Sequence, residues 1–152
     1  MINSDLPQLV RQLKAADKHI TIETAGIAYI PDMPCDLMSI SPKLSNSAPI
    51  DPELAATHED SRLDIAVLRK LIDNYEYHLK FIVDSKSDVA EIQQTLEKIG
   101  NVDFEKVMLM PQAATREELL AKSSMVAEIC KHTGFIFCQR LQVLLWDNEE
   151  GT

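Results

Sequence analysis

Surplus positive charge is the first thing this sequence lacks. Fifteen Lys and Arg stand against twenty-four Asp and Glu, a formal net charge of −9. That balance excludes a tight, non-specific grip on nucleic acid, which needs cations placed on phosphates. It leaves room for a local basic patch that holds one phosphate or carboxylate. Also missing is any apolar run long enough to span a bilayer. The opening stretch MINSDLPQLV is neither basic nor followed by a continuous apolar segment, so it does not read as a secretory signal. The expectation is a cytoplasmic protein with no membrane partner. Cysteine is sparse: Cys35, Cys130 and Cys138 are an odd set, expected to be free thiols in a reducing compartment. Neither GxGxxG nor GxxxxGK followed by Ser or Thr occurs, which counts against a doubly wound nucleotide-binding domain.

What is present is ordinary globular material. The 152 residues are 45% hydrophobic and 26% charged, enough for one domain (1–152) with a real core. Leu6, Leu9, Val10 and Leu13 recur at helical spacing behind Ser4 or Asp5 as N-cap, with Pro7 in the first turn. HITIE (19–23) and DLMSIS (36–41) read as strands, the first ended by Gly26 and the second running into Pro42. The Pro-, Ser- and Asp-rich stretch 44–60 has no sustained period and reads as a loop. Leu63, Val67, Leu71 and Tyr75 mark a helix, and YHLKFIV (77–83) alternates as a strand. Val89, Ile92, Leu96 and Ile99 mark a helix closed by Gly100. KVMLM (106–110) is an apolar strand. Thr115 and Glu118 fit a capping box opening a helix that ends near His132, with Gly134 as the stop. FIFC (135–138) and RLQVLL (140–145) read as strand.

Strands alternating with helices predict an α/β fold with a mostly parallel sheet of about five strands and helices outside it. A doubly wound sheet is the generic form, since five strands are too few for a closed eight-stranded barrel. In either form the ligand end is the carboxyl edge of the sheet. Three segments fall there: Glu23-Thr24-Ala25-Gly26, Ser41-Pro42-Lys43 and Met110-Pro111-Gln112. Gly26 allows close approach to the backbone, Lys43 suits a carboxylate, and Ser41 and Gln112 offer hydrogen bonds. For any one of these, a solvated strand-end turn is the plainer reading. Three at one edge favour a ligand site.

The segments HITIETAG, CDLMSISPKLSNSAP, LKFIVD, KVMLMPQ and GFIFCQRLQVLLW occur in this order. Together they resemble the 7-carboxy-7-deazaguanine synthase family, from about residue 5 onward, with SISPKLSNS and IETAG the most diagnostic. The resemblance implies an incomplete β/α barrel. It also implies a radical S-adenosylmethionine (SAM) enzyme of queuosine and 7-deazapurine biosynthesis, which contracts a 6-carboxy-tetrahydropterin with loss of ammonia using SAM, a [4Fe–4S] cluster and Mg²⁺. Carried over by motif, Gly26, Ser41, Pro42, Lys43, Met110, Pro111 and Gln112 would face SAM, and Thr24 the substrate; Glu23 would orient the same edge. The family tail often closes over the substrate and carries a basic residue before its glycine, where this chain has Glu150 before Gly151.

The resemblance is to the C-terminal part alone. The family's cysteine loop, spaced C-x3-C-x2-C or an expanded form, its Mg²⁺-binding Thr and its GGEP segment do not occur here. Cys35, Cys130 and Cys138 have the wrong spacing and read as small buried thiols. Without thiolates there is no cluster to pass an electron to SAM, so the chain alone is expected to have no catalytic residues, no metal and weak or absent SAM binding. Met1 stands where the family's helix after GGEP begins, as an internal methionine or a truncated gene would leave it; the upstream DNA would settle this. The competing reading is a non-catalytic binding or assembly module that keeps the fold without the chemistry. His19 and His132 read as surface or capping residues, Asp84 as a helix cap, and Met108 and Met110 as packing residues. His78 and Lys80 share one strand face, inward in a barrel or solvated otherwise. A sheet cut from a barrel leaves an open edge at HITIE, which predicts a homodimer or larger oligomer.

Overall fold

The structure is a computed structural model and describes residues 5–149. Ser4, a candidate N-cap, and Glu150, Gly151 and Thr152 of the tail lie outside the described residues. The order is α1 (Leu6–Ala15), β1 (Thr21–Thr24), β2 (Leu37–Ile40), a 3-10 turn (Ser45–Ser47), α2 (Pro52–Ser61), α3 (Ile65–Asn74), β3 (Tyr77–Val83), α4 (Asp88–Ile99), a second 3-10 turn (Phe104–Lys106), β4 (Val107–Pro111), α5 (Arg116–Thr133), β5 (Ile136–Phe137) and α6 (Leu141–Trp146).

The sheet has five strands in the order β1-β2-β3-β4-β5, and each neighbouring pair is parallel. A doubly wound sheet reverses its strand order at a switch point; this one never does. Sequential parallel strands with helices on one face make an incomplete β/α barrel, short of the eight strands that would close it.

Strand alternation divides the two faces. On β3, Tyr77, Leu79, Phe81 and Val83 are buried while His78, Lys80 and Ile82 between them are half-buried. The buried set joins Met38, Ile40, Val107 and Leu109 of neighbouring strands. It packs against Leu68 and Leu71 of α3, Ile92 and Leu96 of α4, and Val126 and Ile129 of α5 in one core cluster. Each large apolar side chain removed from water there contributes about 1.5–3 kcal/mol, which holds the three helices on that face. The opposite face carries Glu23, Ser39, His78, Lys80, Ile82, Met108 and Met110 through the strand registers.

Local signals explain the helix ends. The Thr115 side chain accepts from the Glu118 N–H, and Glu118 reaches back to the N-cap backbone, the capping box expected at the start of α5. Gly134 closes α5 in the left-handed conformation at φ 80°. Asp64 caps α3 by accepting from Val67 N at 3.0 Å.

Two segments differ from the sequence reading. The stretch 44–60 is not a loop throughout: after the 3-10 turn it forms α2, whose N-cap Asp51 accepts from Glu53 N (3.0 Å) and Leu54 N (3.1 Å), with Pro52 in the first turn. No α2 residue is buried, so it has no apolar stripe to betray it. RLQVLL (140–145) is not strand. Leu141–Trp146 forms α6, with Val143 buried beside Ala113 and Leu119. The FIFC strand shortens to Ile136–Phe137.

Candidate functional site

The carboxyl edge is built by strand ends tied to one another. Ser41 N donates to Thr24 O at 2.7 Å, joining β1 to the segment after β2. Gln112 N donates to Val83 O at 2.8 Å, joining the ends of β3 and β4. The turn after β1 is held by Gly26 N, which donates to Thr24 Oγ1 at 3.0 Å.

The Ser41–Ser47 segment is pinned from below by charge. Ser45 N donates to both oxygens of Glu91 at 3.1 Å, and Ser45 Oγ donates to Glu91 Oε2 at 2.6 Å. Asn46 Nδ2 donates to Ile82 O at 3.1 Å and to Asp88 Oδ2 at 2.9 Å. The buried Asp88 also accepts from Asp84 N (2.7 Å) and Ser85 N (3.0 Å). Arg62 pairs with Glu59 and Glu91 and donates to Lys43 O at 2.8 Å. Its hydrogen bond to Glu59 raises the guanidinium further above its ordinary value. Such charge-assisted bonds fix the loop's path more firmly than neutral ones. They account for the Ser and Asn side chains that follow Lys43.

Two cavities open at this edge. The larger, about 370 Å³, is lined by Thr24, Ser41, Lys43, Lys80, Met110 and Arg140, among others. The smaller, about 190 Å³, is lined by Pro42, Lys43, Asn46, Ser47, Gln112 and Arg140, among others. Lys43, Ile82 and Arg140 line both. Gln112 Oε1 is buried without a hydrogen-bond partner among the described residues. A buried acceptor left unpaired is costly, and a ligand donor would satisfy it.

Of the residues predicted for this edge, Thr24, Ser41, Lys43 and Met110 therefore meet in one cavity, and Pro42 and Gln112 join Lys43 in the next. Pro111 is fully buried and lines neither. Gly26 also lines neither: a Cβ there would lie 2.4 Å from Leu68 Cδ2 and 3.0 Å from Ile40 Cγ2, so its open side faces the core. Glu23 lies 3.5 Å from Lys80 Nζ across the open face of the sheet. Sequence reasoning missed Arg140, hidden in a run read as strand. It also missed the Asn46, Asp88, Glu91 and Arg62 supports, whose partners are distant in the chain.

Of the three thiols read as buried, only Cys130 is; Cys35 is half-buried against the core, and Cys138 is half-buried and joins none of the core clusters. Burial pushes the pKa of Cys35 and of Cys130 up, away from the thiolate a metal needs. Among the described residues no three His, Cys, Asp or Glu side chains form a group able to hold a metal ion. Among the same residues no helix is long and apolar enough to cross a membrane. A cavity of about 680 Å³ elsewhere, beside Phe104, His132 and Phe135, gathers none of the predicted residues.

Fold and cavities together define a β/α-barrel type of protein with a cation-lined cavity at the carboxyl edge of its strands. Comparison with known proteins narrows this class. The chain is 37% identical over 164 aligned positions to a 7-carboxy-7-deazaguanine synthase of Halobacterium salinarum, covering 100% of this chain and 63% of that protein. It is 35% identical over 156 positions to the enzyme of the same name from Rhodopirellula baltica, again over 100% of this chain and 60% of the relative. A third, from Pyrobaculum aerophilum, is 28% identical over 153 positions, covering 96% and 60%. No protein-family model matches, and no solved structure matches. The whole chain thus resembles the 7-carboxy-7-deazaguanine synthase family while spanning about three fifths of the length of these relatives, as the C-terminal part of that family would.

Proposed function

We propose that this chain is the SAM- and substrate-facing C-terminal part of a 7-carboxy-7-deazaguanine synthase-like radical SAM enzyme of queuosine and 7-deazapurine biosynthesis, acting in the cytoplasm. The observation that carries this reading is the convergence of Thr24, Ser41, Lys43 and Met110 on one cavity at the carboxyl edge, in a chain similar to three proteins of that name. SAM suits the donor set: Lys43 offers a cation, Ser41 a hydroxyl, and Gln112 an unpaired buried acceptor for a ligand N–H or O–H. Thr24, at the end of β1, would face a pterin-like substrate. Its hydroxyl already accepts from Gly26 N, so its O–H proton remains available to a ligand. SAM supplies the radical chemistry when bound next to a reduced cluster. The described residues gather no group of His, Cys, Asp or Glu able to hold a metal ion, so they are assigned binding and orientation, and the chain alone is assigned no turnover. The same lack of cluster ligands favours a second reading, a non-catalytic binding or assembly module.

Calorimetry with SAM tests the proposal. Weak heat that falls further in Lys43→Ala and Gln112→Ala is expected; tight binding unaffected by either change would refute the site. Anaerobic reconstitution separates the two readings when a longer natural frame, if the upstream DNA encodes one, is expressed beside this chain. Iron and sulfide retained by the longer chain and not by this one support the enzyme part. Stoichiometric iron held by this chain would overturn its assignment as inactive.

A further inference from the structure

Arg140 stands out because it lines both carboxyl-edge cavities and a third one beside α6, which Asp147 and Glu149 also line. Its Nη1 donates to Ala113 O, the carbonyl just beyond β4. Ala113 is itself buried with Leu119 and Val143. The helix that follows Arg140 is fastened by Arg116, whose Nε donates to Leu144 O at 2.7 Å and Nη2 to Leu145 O at 2.8 Å. This bond holds the guanidinium of Arg140 from one side through one of its five N–H groups. Lys80 faces the larger cavity from the strand face opposite the core. Its one ion-pair partner among the described residues is Glu23, at 3.5 Å and with a side chain 77% exposed, a contact too open and long to commit the ammonium. The cavity's lining thus sets Lys43, Lys80 and Arg140 against Glu23 alone, in a chain of net charge −9. Local charge of one sign inside a cavity, against the sign of the whole molecule, marks a site for the opposite charge.

We infer that Arg140 and Lys80 form a carboxylate subsite in the larger cavity, Arg140 as a two-pronged donor and Lys80 as a point charge. This deepens the function proposed above and rests on it for the ligand, because SAM and a 6-carboxypterin each carry one carboxylate as well as a heterocycle.

The chain is titrated with two matched pairs, SAM against decarboxylated SAM and pterin-6-carboxylate against pterin. The side-chain nitrogen resonances of Arg140 and Lys80 are followed. In at least one pair the carboxylate-bearing member binds about tenfold or more tightly, the scale of a charged hydrogen bond; the pair that shows it identifies the source. Arg140→Gln and Lys80→Gln each remove that preference. Lys122→Gln, whose lysine pairs with Asp84 outside the cavity, keeps it. Pairs that bind alike, or a preference that survives in both folded variants, overturn the subsite and leave the proposed function standing. If neither heterocycle binds but succinate moves both resonances, the subsite stands and the proposed function fails. If no carboxylate moves either resonance, the inference is wrong.

Discussion

Replacing Gly26 with alanine separates two reasons for a glycine at the carboxyl edge. Gly26 has φ 75°, in the left-handed region, where a Cβ costs about 1–2 kcal/mol. The added carbon would also sit 2.4 Å from Leu68 Cδ2 and 3.0 Å from Ile40 Cγ2. Both neighbours are fully buried at 0% exposure, so neither can swing aside, and overpacking of this kind costs about 1–3 kcal/mol. Together Gly26→Ala should destabilise by about 2–5 kcal/mol. At about 2–4 °C per kcal/mol for a chain of this size, thermal unfolding followed by circular dichroism should shift down by roughly 4–20 °C. Gly134→Ala is the control: φ is 80°, but nothing lies within 4 Å of the position its methyl would take, so it should lose only the conformational part, about 1–2 kcal/mol. The difference between the two variants isolates the clash. Equal, small shifts would refute the packing account and return Gly26 to a ligand-facing role.

Two further outcomes follow from the same structure. Asp36 accepts from Lys14 Nζ at 2.7 and 3.0 Å and from Ile20 N at 2.7 Å; the Lys14 hydrogen bond, then the Ile20 N–H, hold its carboxyl below the usual range. A carboxyl lowered on folding stabilises above its unfolded value, about 3.9, and that stability is lost as pH falls through the folded value. Asp36→Asn should therefore flatten the fall of the melting temperature below about pH 4; a parallel fall in both proteins would contradict this. Strand β1 is an edge strand, beside an apolar cavity of about 220 Å³ lined by Leu6, Ile22, Ile30, Met33, Met38 and Leu71, among others. An unpaired backbone row next to apolar surface favours self-association, so light scattering should report a homodimer or larger oligomer burying more than roughly 1,000 Å²; a clean monomer would contradict it.

Much of this fold was legible because its signals are local. The alternation of Tyr77–Val83 is the burial pattern of β3, and Thr115 with Glu118 is a capping box in fact. Strand order was not legible, because a sequential sheet and a reversed one use the same alternating elements; only the pairing of β1 beside β2, and so on to β5, decides between them. Helix α2 escaped because periodicity reports a buried stripe and α2 has none; Asp51 followed by Pro52 was its one signal. Residues 140–145 misled because Leu, Val and Leu in a short run suit strand and helix alike. At the site, the strand-end residues Thr24, Ser41 and Lys43 were readable as an edge. Arg140 was not, since its place in the cavity depends on a carbonyl 27 positions away.

A map of backbone amide shifts during SAM titration tests most directly whether the carboxyl edge of this sheet is a ligand site for SAM. The predicted result is a set of shifts confined to Thr24, Ser41, Lys43, Met110, Gln112 and Arg140, with Phe104, His132 and Phe135 around the separate large cavity unmoved. No shifts, or shifts largest at that other cavity, would contradict it.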